Sequence, residues 1–174
     1  WRPYKARLGS NESLFGVSPA ALRVLEARGA ELAFYPDPTH TELRDVLATA
    51  FAVARSQVVV AEGIEGLLGL LARAFLAAGD VAVTSRGGYP SFDYYVHGCG
   101  GRLVRQPYLD SGCNDLEGLL AAARREEAKL VYLANPDNPT GSCCSPSDLR
   151  EFLKRLPDGC GLLLDEAYID FANS

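Results

Sequence analysis

The sequence predicts an α/β protein in which a mainly parallel sheet lies between two layers of helices, giving three layers in all. Short apolar runs alternate with helical segments from residue 57 onward. The runs are apolar throughout, as expected of strands that are buried on both faces. Several helical segments begin at Ser or Pro and stop at Gly, so the elements are clearly separated. This alternation indicates βα units around a parallel sheet.

The segment before residue 57 predicts two helices. Ser18-Pro19 starts the first, because Ser caps a helix and Pro suits its first position, and Gly29 stops it. Thr41 caps the second helix, which is expected to run to about residue 54 with one apolar face.

From residue 57 we expect five strands and four helices. In chain order the strands are 58–61, 81–84, 101–106, 130–134 and 162–165, and the helices are 65–78, 90–97, 115–125 and 146–156.

Composition argues against several function classes. A net charge of −5 without a run of five basic residues disfavours a nucleic-acid surface. The apolar runs fall far short of the roughly 20 residues that cross a bilayer. The 5 cysteines form no Cys-x-x-Cys pair, so we expect no metal site and reduced thiols in a cytoplasmic protein. The chain begins at Trp1 and lacks Met, which suggests a piece of a longer chain.

A proline-rich motif follows the apolar run 130–134. Its sequence, Asn-Pro-Asp-Asn-Pro-Thr-Gly at 135–141, contains two prolines that cannot donate to a sheet ladder and that keep the preceding residue out of the helical region. We therefore expect a rigid loop that presents polar groups at the carboxyl end of a strand, where ligands bind in open α/β sheets. Taken alone, the motif is equally consistent with an ordinary turn.

A second apolar run, 161–164, ends in Asp165. A carboxylate buried at that point costs several kcal/mol unless it meets a cation, and a protonated pyridine nitrogen is one such cation. The alternative is a helix N-cap at a strand-to-helix turn.

The segment 62–66, Glu-Gly-Ile-Glu-Gly, follows the first expected strand and opens a helix. Gly63 lets a ligand approach the backbone, and the free N–H groups of a helix start suit a phosphate. Packing of the helix through small residues explains the segment equally well. The glycine spacing is not that of a dinucleotide-binding loop.

Together, the motif at 135–141 and Asp-Glu-Ala-Tyr at 165–168 resemble the fold-type-I, pyridoxal-phosphate-dependent aminotransferases. The chain is most similar to the histidinol-phosphate aminotransferase branch, which also shows segments like Ser10-Asn11-Glu12 and Tyr35-Pro36-Asp37. The resemblance covers essentially all 174 residues. It implies an N-terminal arm and first helix at 1–30, and the N-terminal part of the cofactor-binding large domain at 31–174.

The resemblance also implies roles for individual residues around pyridoxal 5′-phosphate. The phosphate is cradled by Gly63, Ile64 and Glu65. Tyr89 covers the pyridine face, and Asp165 holds the pyridine nitrogen protonated. Asn138 and Tyr168 reach the phenolic oxygen. Most relatives carry a small polar residue where Ile64 stands, and the Glu65 charge must point away from the phosphate.

Two residues before 57 receive roles in the same way. Tyr35 is expected to contact the phosphate of a neighbouring subunit's cofactor, which implies a homodimer with shared sites. Asn11 is expected near the substrate, which is a small molecule of the amino-acid or oxo-acid class.

The implied activity is transfer of an amino group between an amino acid and a 2-oxo acid or phosphorylated ketone. The Schiff-base lysine of the family is not matched by Lys5, Lys129 or Lys154, so we expect the 174-residue chain alone to be inactive. The rivals are a decarboxylase of the same fold, of the threonine-phosphate type, a truncated non-catalytic binding module, and a nucleotide-binding Rossmann domain.

Overall fold

A computed structural model describes residues 11–172. Ser10, the first residue of the Ser-Asn-Glu segment, lies outside the described residues. Contacts divide the chain into two compact units, a first ending at Val58 and a second beginning at Val59. The expected division into an N-terminal arm with the first helix at 1–30 and a part of the large domain at 31–174 stays a prediction. Within residues 11–172 no helix combines the length and the apolar character needed to span a membrane.

The described residues of the first unit form two α-helices, α1 (Pro19–Arg28) and α2 (Thr41–Ala50), and two short 3-10 helices, Gly29–Ala33 and Arg55–Gln57. Pro19 occupies the first turn of α1 as expected, but the Ser18 side chain makes no capping hydrogen bond. Helix α1 ends at Arg28, directly before Gly29 as expected, and the chain continues from Gly29 as a 3-10 helix.

Helix α2 begins where the sequence placed it, but its cap is different. Asp37, and not Thr41, supplies the capping side chain: Asp37 Oδ2 accepts the Thr41 N–H at 2.8 Å, and Oδ1 accepts the Thr39 N–H at 2.9 Å. Hydrogen bonds from Thr39 and Thr41 hold the pKa of Asp37 well below its usual range. The helix ends at Ala50, four residues before the expected end at residue 54.

The second unit alternates strands and helices. Its elements are α3 (Gly63–Phe75), β1 (Val81–Ser85), α4 (Ser91–Gly98), β2 (Arg102–Gln106), α5 (Leu116–Arg125), β3 (Leu130–Ala134), α6 (Pro146–Arg155), β4 (Gly161–Asp165) and a 3-10 turn, Ile169–Phe171.

The expected strand at 58–61 is wrong. The sheet has 4 strands, and residues 58–61 pair with none of them. Their backbone groups are used locally instead: Val58 O accepts Arg44 Nε at 3.0 Å, and Ala61 O accepts the Gly63 N–H at 2.8 Å.

All strand pairs of the sheet are parallel, in the order β2-β1-β3-β4. The chain leaves β1 toward β2 on one side and later returns to place β3 on the other side of β1. The strand order therefore reverses between β1 and β3, and the crevice at such a switch point is where open α/β sheets bind ligands.

Helices cover both faces of the sheet, which confirms the predicted three-layer arrangement. Helices α3 and α4 pack on one face around Leu68, Phe92, Val96 and Tyr132. Helices α5 and α6 pack on the other face around Leu119, Leu120, Val131 and Phe152. Strands β1 and β3 are buried along their whole length, as their apolar sequences predicted.

Candidate active site

The candidate site lies in the second unit, at the carboxyl ends of β1, β3 and β4. Each of these strands ends in buried polar residues: Ser85 in β1, Asn135 directly after β3, and Asp165 in β4. Because the strands are parallel, their carboxyl ends share one edge of the sheet. The Asn135 N–H donates to Asp165 O at 2.8 Å, which joins the ends of β3 and β4.

Asp165 is buried and has partners on both carboxylate oxygens. The Tyr132 hydroxyl donates to Oδ2 at 2.7 Å, and the Ala167 N–H donates to Oδ1 at 2.9 Å. These bonds reduce the free-energy cost of a buried charge. Each carboxylate oxygen has two lone pairs, so Asp165 can accept a further donor. Asp165 thus closes a short turn through the Ala167 N–H but is not the N-cap of the 3-10 helix that follows, which is Tyr168. Its expected role toward a cation stays a prediction.

Sequence reasoning missed Tyr132, which looked like one more apolar strand residue. Its ring stacks on Phe92 with centroids 4.7 Å apart and planes inclined by 20°. Burial, with the Asp165 carboxylate second, raises the pKa of the Tyr132 phenol. The signal that could have revealed it is strand register: Ala134 pairs with Asp165, and Tyr132 lies two residues before Ala134 on the same face.

The loop after β3 is built around Asp137, which is buried. Its carboxylate accepts the Thr140 hydroxyl at 2.8 Å, the Tyr108 hydroxyl at 3.1 Å and the Asn114 amide at 3.4 Å. Asn114 in turn accepts a short hydrogen bond from the Ser85 hydroxyl of β1. This network ties the β1 end to the loop, so the predicted rigidity comes from side chains as well as from the two prolines.

Asn135 holds the far end of the same loop. Its Oδ1 accepts the Cys144 N–H at 2.6 Å, and its Nδ2 donates to Cys144 O at 3.3 Å. Both Asn-Pro peptide bonds of the motif are cis. Asn138 lies between them and is half-buried.

Tyr89 follows β1 and is joined to the start of α3. Its hydroxyl donates to Glu65 Oε1 at 2.5 Å, and the same oxygen accepts the Ser91 hydroxyl at 2.7 Å. Tyr95 donates to Glu65 Oε2 at 3.1 Å. The hydrogen bond from Tyr89, followed by that from Ser91, lowers the pKa of Glu65. The hydrogen bond to Glu65 raises the pKa of Tyr89.

The start of α3 offers two backbone donors. Gly63 has a φ of +66°, which favours glycine, and its N–H already donates to Ala61 O at 2.8 Å. Within residues 11–172 the N–H groups of Ile64 and Glu65 donate to no protein acceptor. A helix of 13 residues adds its dipole to these donors. The Glu65 carboxylate is turned toward α4, as an anion-binding helix start requires.

The structure places several expected residues in the second unit: Glu65 accepts a hydrogen bond from Tyr89, and Asp165 ends β4. Asn138 follows β3, and Tyr168 follows β4. Tyr35 and Asn11 belong to the first unit, and their expected roles stay predictions. The Tyr35 side chain is exposed.

A family model described as aminotransferase class I and II matches residues 4–174. Histidinol-phosphate aminotransferase from Staphylococcus haemolyticus (strain JCSC1435) is 35% identical over 171 residues, covering 97% of this chain and 47% of its own. The enzyme of that name from Rhodospirillum rubrum is 36% identical over 165 residues, covering 95% and 44%. The chain thus spans about half the length of these curated relatives.

Solved structures show the same fold. Histidinol-phosphate aminotransferase from Sinorhizobium meliloti in complex with pyridoxal-5′-phosphate matches with a TM-score of 0.92 and 46% identity, over 97% of this chain and 45% of that one. L-threonine-O-3-phosphate decarboxylase from Porphyromonas gingivalis, at 18% identity and a TM-score of 0.77, covers 90% and 47% and shows the fold alone.

Proposed function

The chain belongs to the class I and II aminotransferases, and from this membership we propose that it forms the cofactor-binding half of a pyridoxal-phosphate-dependent enzyme of the histidinol-phosphate type. The enzyme transfers an amino group between an amino acid and a 2-oxo acid or phosphorylated ketone. The observation that carries the proposal is the buried Asp165 carboxylate at the carboxyl end of β4, which contacts Tyr132 of β3 and keeps capacity to accept a further donor.

The residues present fit pyridoxal 5′-phosphate at both ends. At the pyridine end, Asp165 accepts a protonated ring nitrogen, which satisfies the buried carboxylate. At the phosphate end, the N–H groups of Ile64 and Glu65 at the start of α3 have no acceptor among the described residues. Ile64 offers no side-chain hydroxyl, so on this loop the phosphate relies on the backbone.

The bound cofactor supplies an electron sink for the substrate carbanion. Asp165 holds the proton at the pyridine nitrogen. Asn138 and Tyr168 donate to the phenolic oxygen, and the Tyr89 ring covers one face and excludes water there. These assignments follow the family resemblance and agree with the positions of the residues at the strand ends.

The described residues contain two lysines, Lys129 and Lys154, and neither borders the site. Lys129 is exposed directly before β3, at the opposite edge of the sheet, and Lys154 lies on α6 within 4.0 Å of Glu151. We propose that the lysine that anchors the cofactor lies in the half of the enzyme that this chain does not span, and that the 174 residues alone do not transaminate.

We also propose a homodimer in the cytoplasm, in which Tyr35 contacts the cofactor phosphate of the partner subunit. Its exposed ring, the first unit's exposed Phe34 and Leu32, and the similarity to the histidinol-phosphate branch support this assembly.

The test compares wild-type full-length protein with Asp165→Asn and with Glu166→Gln, an exposed neighbour. Apoprotein is loaded with pyridoxal 5′-phosphate, reduced with borohydride and weighed. Amino transfer from histidinol phosphate to a 2-oxo acid is then measured. We expect one pyridoxyl group and measurable amino transfer in the wild type and in Glu166→Gln. In Asp165→Asn we expect the rate of amino transfer to fall at least about tenfold. Threonine O-3-phosphate is assayed in parallel, because histidinol phosphate has no carboxyl group, and release of carbon dioxide from it without amino transfer favours the decarboxylase. Absence of any adduct favours a non-catalytic module.

A further inference from the structure

The Glu65 carboxylate connects two parts of the proposed cofactor site, the start of α3 and the segment around the start of α4. Glu65 lies in the first turn of α3, whereas Tyr89, Ser91 and Tyr95 lie in or just before α4. The Glu65 carboxylate accepts all three of their hydroxyls, at 2.5, 2.7 and 3.1 Å. We call these four residues the Glu65 cluster.

The cluster limits the freedom of the Tyr89 ring. The ring packs against the core on the α3 and α4 face, and its hydroxyl is held at Glu65 Oε1. The bond to Glu65 fixes the far end of the ring, because rotation about χ1 would break it. Rotation about χ2 leaves the hydroxyl oxygen in place and is limited by the packing of the ring against the core. The backbone N–H of Glu65 is at the same time one of the two free donors at the start of α3.

We infer that Glu65 is a positioning residue, which sets the Tyr89 ring over the cofactor and couples that ring to the phosphate-binding helix start. The inference rests on the proposed function. Glu65 thus acts through two groups: its backbone N–H faces the phosphate, and its carboxylate orders the ring that covers the pyridine. A negative side chain is tolerated beside a phosphate because three hydroxyls turn it away and solvate it.

A purely structural role is the alternative, in which Glu65 only ties α3 to α4. The cluster itself separates the two possibilities. Tyr95 makes the same kind of tie between the two helices but does not touch the Tyr89 hydroxyl. A structural role predicts that loss of either tyrosine hydroxyl has the same effect, whereas a positioning role predicts that only the Tyr89 hydroxyl affects the cofactor.

The first arm of the test measures the affinity of the full-length apoprotein for pyridoxal 5′-phosphate by equilibrium dialysis. The variants are Glu65→Gln, Tyr89→Phe, the double variant and Tyr95→Phe, with Tyr94→Phe on the exposed side of α4 as control. The backbone N–H groups survive in all of them. We expect about a tenfold weakening in each of the first two variants, because glutamine keeps an acceptor oxygen but loses the charge that strengthens the bond from Tyr89, and phenylalanine loses the hydroxyl. We expect no further loss in the double variant, because both substitutions act on the same hydrogen bond. Additive losses of about a hundredfold, or a Tyr95→Phe loss equal to that of Tyr89→Phe, overturn the inference.

The second arm needs no cofactor. Protein labelled with ¹³C at tyrosine Cζ is titrated by NMR, which follows each phenol separately. Glu65 and the more distant Arg73 of α3 are the charged neighbours of this group of phenols. We expect the pKa of Tyr89 to fall toward its ordinary value in Glu65→Gln, and an unchanged Tyr89 pKa overturns the inference. If the wild type binds no pyridoxal 5′-phosphate, the proposed function fails, and this titration alone decides whether Glu65 holds Tyr89.

Discussion

The Tyr132 hydroxyl lies 2.7 Å from Asp165 Oδ2, and both side chains are buried. The two residues are far apart in sequence and meet because β3 and β4 pair in parallel with Ala134 opposite Asp165. A phenol that donates to a buried carboxylate stabilises its charge.

Tyr132→Phe removes this donor and keeps the ring that stacks on Phe92. We expect the free energy of unfolding to fall by about 1–3 kcal/mol, because a buried carboxylate loses a partner. Urea unfolding of the variant measures the change. Tyr94→Phe is the control, since Tyr94 is exposed, and equal stability of Tyr132→Phe and the control contradicts the prediction.

The raised pKa of Tyr132 predicts a loss of stability at high pH. Its phenol ionises in the unfolded chain near pH 10 but stays protonated in the folded protein. The contribution of Tyr132 to the free energy of unfolding is therefore complete below about pH 10 and is lost as pH rises. We expect the free energy of unfolding to fall there by about 1.4 kcal/mol per pH unit for this residue. The slope above pH 10 is expected to be smaller in Tyr132→Phe, and the same slope in both proteins argues against a buried, protonated phenol.

Adjacent cysteines are expected to differ in reactivity. Cys143 is exposed, whereas burial raises the pKa of the Cys144 thiol to about 11. Because the thiolate is the nucleophile, iodoacetamide at pH 8 is expected to label Cys143 first, as peptide mass mapping can show.

Asn135→Ala tests what keeps Cys144 protected. The variant removes both hydrogen bonds that hold the Cys144 backbone. We expect faster labelling of Cys144 with little change at Cys160, another half-buried thiol whose pKa is raised by burial. Equal acceleration at both thiols indicates general unfolding, and no acceleration indicates that Asn135 does not hold the loop.

Helix α6 is expected to depend on one side chain. Phe152 is its buried residue, 2% exposed, whereas its neighbour Leu153 is 56% exposed. Phe152→Ala is expected to reduce the free energy of unfolding by about 3–5 kcal/mol. Leu153→Ala is expected to change it by less than about 1 kcal/mol. Thermal and urea unfolding of the pair give both values, and similar losses contradict the packing of α6 described above.

The sequence by itself determined those features that depend on the residues of a single segment. The apolar runs at β1 and β3 specified buried strands, because only a sheet covered on both faces accommodates them. Pro19 and Pro146 marked helix starts correctly, since their fixed φ and missing N–H suit a first turn. The motifs at 135–141 and 165–168 pointed to the family that the comparisons then found.

Only the tertiary structure decided which groups become partners. The run at 58–61 has the composition of a strand, yet a strand exists only where another strand supplies its ladder, and here local acceptors and Arg44 take the backbone bonds. The pairing of Tyr132 with Asp165, and of Glu65 with Tyr89, depends on parallel register and on the packing of α3 against α4. Such contacts join residues distant in sequence, and no local pattern of hydrophobicity or propensity encodes them.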